Sequence, residues 1–352
     1  MSTTRRSALA GALALAACNR PASSQAVAAE PAPLKDGAIS RVGCTLMTAE
    51  LDDPAFAALF ARHFSQLTPE WEMKMEYICR DDGSLRWDAP DRIAAFARQN
   101  GMRLYGTTLV WYAETAKMFE RLEGQKAAFG KAYRDYIQAV VGRYKGLAVG
   151  WDVVNEAVNE DGVGLREHIW SRNLGELDHM KLAFDHAAEA DPGALLFVNE
   201  YFLEKIPRKR VEYMRMIERL LKSGAKLTGI GTQSHLDIDV KPGACREAIR
   251  DLASFGLPIH VSELDCSFSV ERIDLRSEED KLLVQAKLAE EVAQAYLDLP
   301  TNQRFAFTIW GLRDKDSWLK KEPNNSQDKP LMFDDNGQPK PMFDAVATAL
   351  KA

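Results

Sequence analysis

Two short stretches, WDVVNEA at 151–157 and VSELD at 261–265, each run from an apolar segment into a glutamate, Glu156 and Glu263. A carboxylate ending an apolar run is unfavourable unless it is paired, solvated or used. Two carboxyl groups facing one another across a cleft suit hydrolysis of a glycosidic bond: one protonates the leaving oxygen while the other stabilises or attacks the anomeric carbon. Pairs about 5 Å apart give retention of configuration, and wider pairs give inversion. The blander reading of either glutamate is a rim residue paired with Lys or Arg, but their joint placement at the ends of apolar runs favours a site. Asn155, immediately before Glu156, offers an amide for a sugar hydroxyl; its bland reading is a turn-forming Asn.

These residues need elements that bring distant parts of the chain together. After about residue 40, short β-rich apolar runs alternate with longer amphipathic stretches, the pattern of repeated βα units and a parallel sheet. Eight strand-like runs can be counted: RVGCTLM, FSQLT, RLYGTTLVW, LAVGWDVVN, ALLFVNE, LTGIGTQS, PIHVSEL and FAFTIWG. Helical patterns such as DPAFAALFARHF and RKRVEYMRMIERLLKSG lie between them, with entry signals at Asp53-Pro54 and Pro90-Asp91 and exit signals at Gly101 and Gly224. A doubly wound sheet uses the same alternation, but eight units without a hydrophobic gap point to a single α/β domain, a (β/α)₈ TIM barrel. Polar and aromatic groups cluster where the runs end: Glu70 and Lys74 after the second, Trp111 at the third, Asn155 and Glu156 at the fourth, Asn199 at the fifth, Gln233 and His235 at the sixth, Glu263 at the seventh and Trp310 at the eighth. Barrel active sites occupy that C-terminal rim. Strands four and seven face one another across the ring, so Glu156 and Glu263 are placed to meet.

The 352 residues are 46% hydrophobic and 27% charged, which excludes a disordered or fibrous chain. A net charge of -6 leaves no basic footprint for nucleic acid or an anionic membrane surface. The first residues read separately. TTRRSALAGALALAAC joins the basic pair Arg5 and Arg6 to an apolar run too short to span a bilayer, the pattern of an export leader. The arginine pair suits the twin-arginine route, and Leu15-Ala16-Ala17-Cys18 resembles a bacterial lipobox in which Cys18 is acylated. Simple cleavage among the alanines, releasing a soluble exported protein, is the alternative. Residues 1–18 are therefore read as leader, 19–37 as a flexible tether rich in Pro, Ala and Ser, and 38–352 as the barrel. Cys44, Cys79, Cys245 and Cys266 contain no CxxC pair, and export permits three full disulfide pairings among them. The six histidines include no HExxH, so no metal site is expected.

At this point a resemblance becomes specific. The segments TPEWEMKME, GTTLVW, WDVVNEA, FVNEY, GIGTQSHL, VSELD, WGLRDKDSWL and PLMFDDNGQPKPMFDAV, in that order over roughly residues 41–350, resemble family 10 glycoside hydrolases, the main family of retaining β-1,4-xylanases. The resemblance implies that Glu156 is the acid/base, that Glu263 is the nucleophile forming a glycosyl-enzyme intermediate, and that His235 hydrogen-bonds and orients the nucleophile. It implies that Gln233 and Asn155 surround the sugar at the cleavage point, that Trp111, Trp310 and Trp318 wall the glycone subsites, and that Glu70 and Lys74 read hydroxyls on the non-reducing side. Their bland readings are a barrel-core histidine, core aromatics and a surface salt bridge. No cofactor is implied. The partner is a polysaccharide or oligosaccharide, with no nucleic acid, membrane contact only through Cys18, a periplasmic or outer-membrane location and a monomeric state.

The departures fall on substrate-reading positions. Trp71 stands where the family usually has Asn, Thr107 and Tyr112 replace two familiar histidines, Glu114 replaces Gln, and the NDYN motif reads Asn199, Glu200, Tyr201, Phe202. They leave open the same retaining chemistry on a decorated xylan or another β-linked glycan. A non-catalytic carbohydrate-binding lipoprotein is the reading from a different class.

Overall fold

The eight runs become eight parallel strands: β1 (Val42–Leu46), β2 (Gln66–Pro69), β3 (Arg103–Gly106), β4 (Ala148–Asn155), β5 (Leu195–Asn199), β6 (Gly229–Thr232), β7 (Ile259–Ser267) and β8 (Arg304–Ile309). The structure is a computed structural model that describes residues 31–38, 40–270, 273–322 and 325–351. Each strand pairs with the next, and β8 returns to β1 with Val42 opposite Phe307, so the sheet closes. Closure removes the exposed edges that an open sheet would present. The strands are almost entirely buried, as expected where side chains fill the inside and helices cover the outside.

The helices sit where amphipathic periodicity places them, at Pro54–His63, Asp88–Gln99, Lys126–Arg143, Asp178–Ala190, Pro207–Lys222 and Glu278–Leu297, with Ala244–Ala253 and Pro341–Ala349 completing the outer layer. The Asp53-Pro54 signal works as chemistry predicts: the Asp53 carboxylate accepts the free N–H groups of Ala55 and Phe56 while Pro54 occupies the first turn. Inside the barrel Tyr105, Phe197, His260 and Phe305 interlock, with ring centroids 4.4 Å apart for Tyr105 and His260 and 4.7 Å for Phe197 and Phe305. Burial drives the His260 pKa down to about 3, so this ring is neutral; Nε2 lies 2.8 Å from Thr308 Oγ1. His260 thus sits inside the barrel, whereas His235 stands at its rim and lines the cleft.

Three expectations need correction. The run RLYGTTLVW is not one strand: β3 stops at Gly106 and pairing resumes only at Val110–Trp111, against the end of β4. Glu263 does not end its strand, because β7 continues to Ser267 by pairing with a short strand at His235–Asp237. The folded unit begins at Ala32, not at residue 38. Leu34 is fully buried, its N–H reaches His63, and the Lys35 ammonium donates to the Ala61 carbonyl, contacts that the Pro- and Ala-rich composition conceals. Cys44, Cys79, Cys245 and Cys266 are all buried and unpaired. Arg5, Arg6 and Cys18 lie outside the described residues. Among the described residues no helix is long and apolar enough to cross a membrane.

Candidate active site

The C-terminal rim of the barrel encloses a cleft of about 530 Å³ that receives Glu156, Glu263, His235, Gln233 and Trp111. Among the described residues, the non-glycine positions with left-handed backbone are Glu114, Glu156, Phe202 and Ser234. Glu156, Phe202 and Ser234 lie just beyond the ends of β4, β5 and β6, and Glu114 follows the Val110–Trp111 segment that pairs with β4. Such conformations are disfavoured for residues with a Cβ and collect where a side chain must be aimed, so the strain sits at the site and not in the scaffold.

Glu156 leaves β4 with φ of 55°, and its N–H bonds to the Asn199 carbonyl on β5. Three neutral donors hold its carboxylate: Trp111 Nε1 at 2.7 Å on one oxygen, with Gln233 Nε2 at 3.0 Å and Asn155 Nδ2 at 3.2 Å on the other. Gln233 also bonds the Asn155 Oδ1, which fixes both amides. Burial raises the pKa of Glu156 above the ordinary carboxylate range, and the Glu263 charge adds to the rise, while the Gln233 and Trp111 donors oppose it. A carboxyl so placed keeps its proton to higher pH than an exposed one.

Glu263 has a different company. Asn199 Nδ2 donates to one oxygen at 2.7 Å, and the Ser262 hydroxyl fixes the orientation of that amide by donating to its oxygen. His235 Nε2 lies 3.3 Å from the other oxygen, and His235 Nδ1 lies 2.9 Å from Asp265. Trp318 Nε1 donates to the same Asp265 oxygen at 3.0 Å. Burial opposes a charged imidazole, but the carboxylates of Asp265 and Glu263 outweigh it and lift the His235 pKa to about 10. His235 is thus an imidazolium at neutral pH, set against Glu263. Beneath the pair, Asp152 accepts from the Tyr105 hydroxyl at 2.6 Å; burial pushes its pKa up to about 8, with the Glu263 charge adding to it.

Trp111, Trp310 and Trp318 all line the cleft, as does Lys74. Lys74 stands 4.8 Å from the Trp111 ring centroid and 3.9 Å from Glu114, not against Glu70. Glu70 is buried, accepts from the Thr45 hydroxyl, and its pKa is pushed by burial to about 7 despite the nearby Lys74 charge. Glu70 and Asn155 are not among the residues that line the cleft. Among the described residues no group of His, Cys, Asp and Glu is arranged to hold a metal ion.

Comparison with known sequences matches residues 33–349 to Glycosyl hydrolase family 10. The chain belongs to that family. Over 315 residues it is 35% identical to endo-1,4-beta-xylanase A of Caldicellulosiruptor saccharolyticus, covering 85% of this chain and 90% of the relative. It is 37% identical over 295 residues to endo-1,4-beta-xylanase B of Paenibacillus barcinonensis, covering 80% and 88%. Among solved structures, xylanase XynB of Paenibacillus barcinonensis in complex with a conduramine derivative superposes with a TM-score of 0.82 at 31% identity, covering 91% of this chain and 99% of the other. Xylanase 10B of Thermotoga petrophila RKU-1 in complex with xylobiose gives 0.82 at 30%, covering 90% and 96%.

Within this family 10 site, sequence reasoning missed Asp265 and Arg166. Asp265 follows Glu263 by two positions, and the period-two alternation of a strand puts both on one face. That signal was present in VSELD. Arg166, which donates to the Glu156 carbonyl at 3.0 Å, lies in a loop where no local pattern marks it. Glu200 is not a rim carboxylate: it is fully buried 2.9 Å from Lys209 and accepts the Val158 N–H behind Glu156.

Proposed function

We propose that this family 10 glycosyl hydrolase cleaves β-1,4-xylosidic bonds in xylan or xylo-oligosaccharides with retention of configuration. The observation that carries the reading is the unequal company of two carboxylates at one cleft. Glu156, buried among neutral donors, is suited to hold a proton; Glu263, gripped by the Asn199 amide and facing the His235 ring, is suited to act as the nucleophile. In the first step Glu263 attacks the anomeric carbon while Glu156 protonates the departing oxygen. In the second, Glu156 as carboxylate takes a proton from water, which displaces Glu263 and restores both groups. His235 and Asn199 hold Glu263 on line, and Gln233, Asn155 and Trp111 hold Glu156. The aromatic walls offer flat apolar faces to the C–H faces of the sugar rings. The names of the relatives support xylan as the substrate class.

Mass-spectrometric identification of products from a panel of plant polysaccharides, with NMR of the first-formed anomer, tests the reading. Xylo-oligosaccharides released first as the β-anomer are expected; an α-anomer or an untouched panel refutes it. Glu263→Ala should abolish hydrolysis and Glu156→Ala should spare mainly substrates with good leaving groups, so wild-type activity in either overturns the assignment. The same panel tests a second reading, a decorated xylan or another β-linked glycan, which the exposed Trp71 and the Lys74–Glu114 contact favour over plain xylan. Efficient random cleavage of plain xylan argues against it. Residues 1–18 are proposed as an export leader ending at the acylated Cys18; radiolabelled palmitate incorporation that survives Cys18→Ala would refute that. Action as a monomer is proposed as well, and sedimentation checks it.

A further inference from the structure

At the β4 and β5 ends of the cleft stands a cluster with no part in the chemistry above. Arg166 donates from Nε to the Glu156 carbonyl at 3.0 Å, and from Nη2 to the Tyr201 hydroxyl at 2.6 Å and to Glu160 at 3.0 Å. Its guanidinium carbon lies 4.2 Å from the centroid of the Tyr112 ring. Tyr112 directly follows Trp111, the ring that donates to Glu156, and the two rings meet edge to face with centroids 5.8 Å apart. Among the described residues the exposed aromatic side chains are Trp71 and Tyr112, and of the two Tyr112 lines the cleft.

The position of this cluster says which sugar it meets. Trp310 and Trp318 reach the cleft from beyond β8, across the ring from β4, while Lys74, beyond β2, stands against the Trp111 ring. Glu156 hands its proton to the oxygen of the departing sugar, so the side chains gathered around it, Tyr112 from beside the Val110–Trp111 segment that pairs with β4 and Arg166 and Tyr201 from beyond β4 and β5, face that sugar. An aromatic ring with two side-chain torsions, packed under a guanidinium and crossed at a steep angle by a neighbouring indole, is a rigid surface on which a sugar can stack at low entropic cost. The left-handed backbone of Glu156 has its carbonyl tied down by the same guanidinium.

We propose that Tyr112 is a stacking platform for the leaving-group sugar, and that Arg166 positions both this platform and the backbone of Glu156. The inference rests on the retaining-hydrolase reading of Glu156 and Glu263. Arg166 is a positioning residue; Tyr112 determines how well a departing sugar is held.

The test compares xylotetraose, whose leaving group is a sugar, with xylobiosyl fluoride, whose leaving group is one atom. Tyr112→Ala should lower kcat/KM on xylotetraose about tenfold, the scale of one lost aromatic contact, with a several-fold smaller loss on the fluoride. Tyr112→Phe should keep most of the xylotetraose rate. When xylobiose is added as acceptor, Tyr112→Ala and Arg166→Lys should both shift the glycosyl-enzyme from transfer toward hydrolysis, a partition that general loosening of the fold would not move. Equal losses on the two substrates, a Tyr112→Phe variant as weak as Tyr112→Ala, or an unchanged partition would overturn the proposal. A wild-type protein inert toward both substrates would instead overturn the hydrolase reading beneath it.

Discussion

Replacing Asp265 by asparagine should lower the proton affinity of His235 while leaving its ring in place. His235 lies between two carboxylates, Asp265 at 2.9 Å from Nδ1 and Glu263 at 3.3 Å from Nε2. Burial pulls the imidazole toward neutrality, and Asp265 supplies the largest opposing push, which leaves the group titrating at about 10. An opposite charge at this range moves a pKa by roughly 1–3, so the variant should titrate between about 7 and 9. Once neutral, His235 donates from Nδ1 to the new amide oxygen and turns an acceptor nitrogen toward Glu263, so kcat/KM should fall as pH rises through the new value. The linked stability has a definite sign. A folded pKa of about 10 against an ordinary 6.5 stabilises the fold fully below 6.5 and is lost as pH rises through 10, on the order of 5 kcal/mol in all. Nitrogen-15 NMR of the ring against pH, with urea unfolding at several pH values between 6 and 10, reads both effects. A wild-type His235 already neutral at pH 8, or an Asp265→Asn variant that titrates with the wild type, would refute the account.

Lys209 and Glu200 are wholly buried 2.9 Å apart, so Lys209→Met alone should cost about 3–5 kcal/mol in urea unfolding, and adding Glu200→Gln should recover most of it. Equal stability of the single and double variants would exclude an ion pair there. In Gly231→Ala the new methyl would stand 2.4 Å from Asn199 Oδ1 and must displace the amide that donates to Glu263. Catalysis should fall on the order of 10²-fold, as small misplacements can cause. An unchanged kcat would show that Asn199 does not hold Glu263 on line.

Strand count and rim placement were legible because each apolar run is buried on both faces and each ends in a polar or aromatic side chain. What misled was the polar end of β7. Asp265, Cys266 and Ser267 read as loop, yet they extend the strand because His235, Leu236 and Asp237 pair with them one for one. That pairing is long-range, and no window around residue 265 contains it. Thr107 to Leu109 misled in the other direction, two β-branched threonines and a leucine that read as strand where β3 in fact stops. Glu156 and Glu263 were legible from their own segments; the partners that distinguish them come from β3, β5, β6 and the loop after β4. Leu34 illustrates the same limit at the domain boundary, where one buried side chain outweighs a tether-like composition.

The buried thiols have a consequence for how the protein can be made. With Cys44, Cys79, Cys245 and Cys266 unpaired, the barrel closes through strand pairing and packing without a cross-link among them. Folding of this unit does not wait on an oxidant or an isomerase, so a reducing cytosol is as suitable a host as an oxidising one, and thiol reductants in a refolding buffer leave its framework intact.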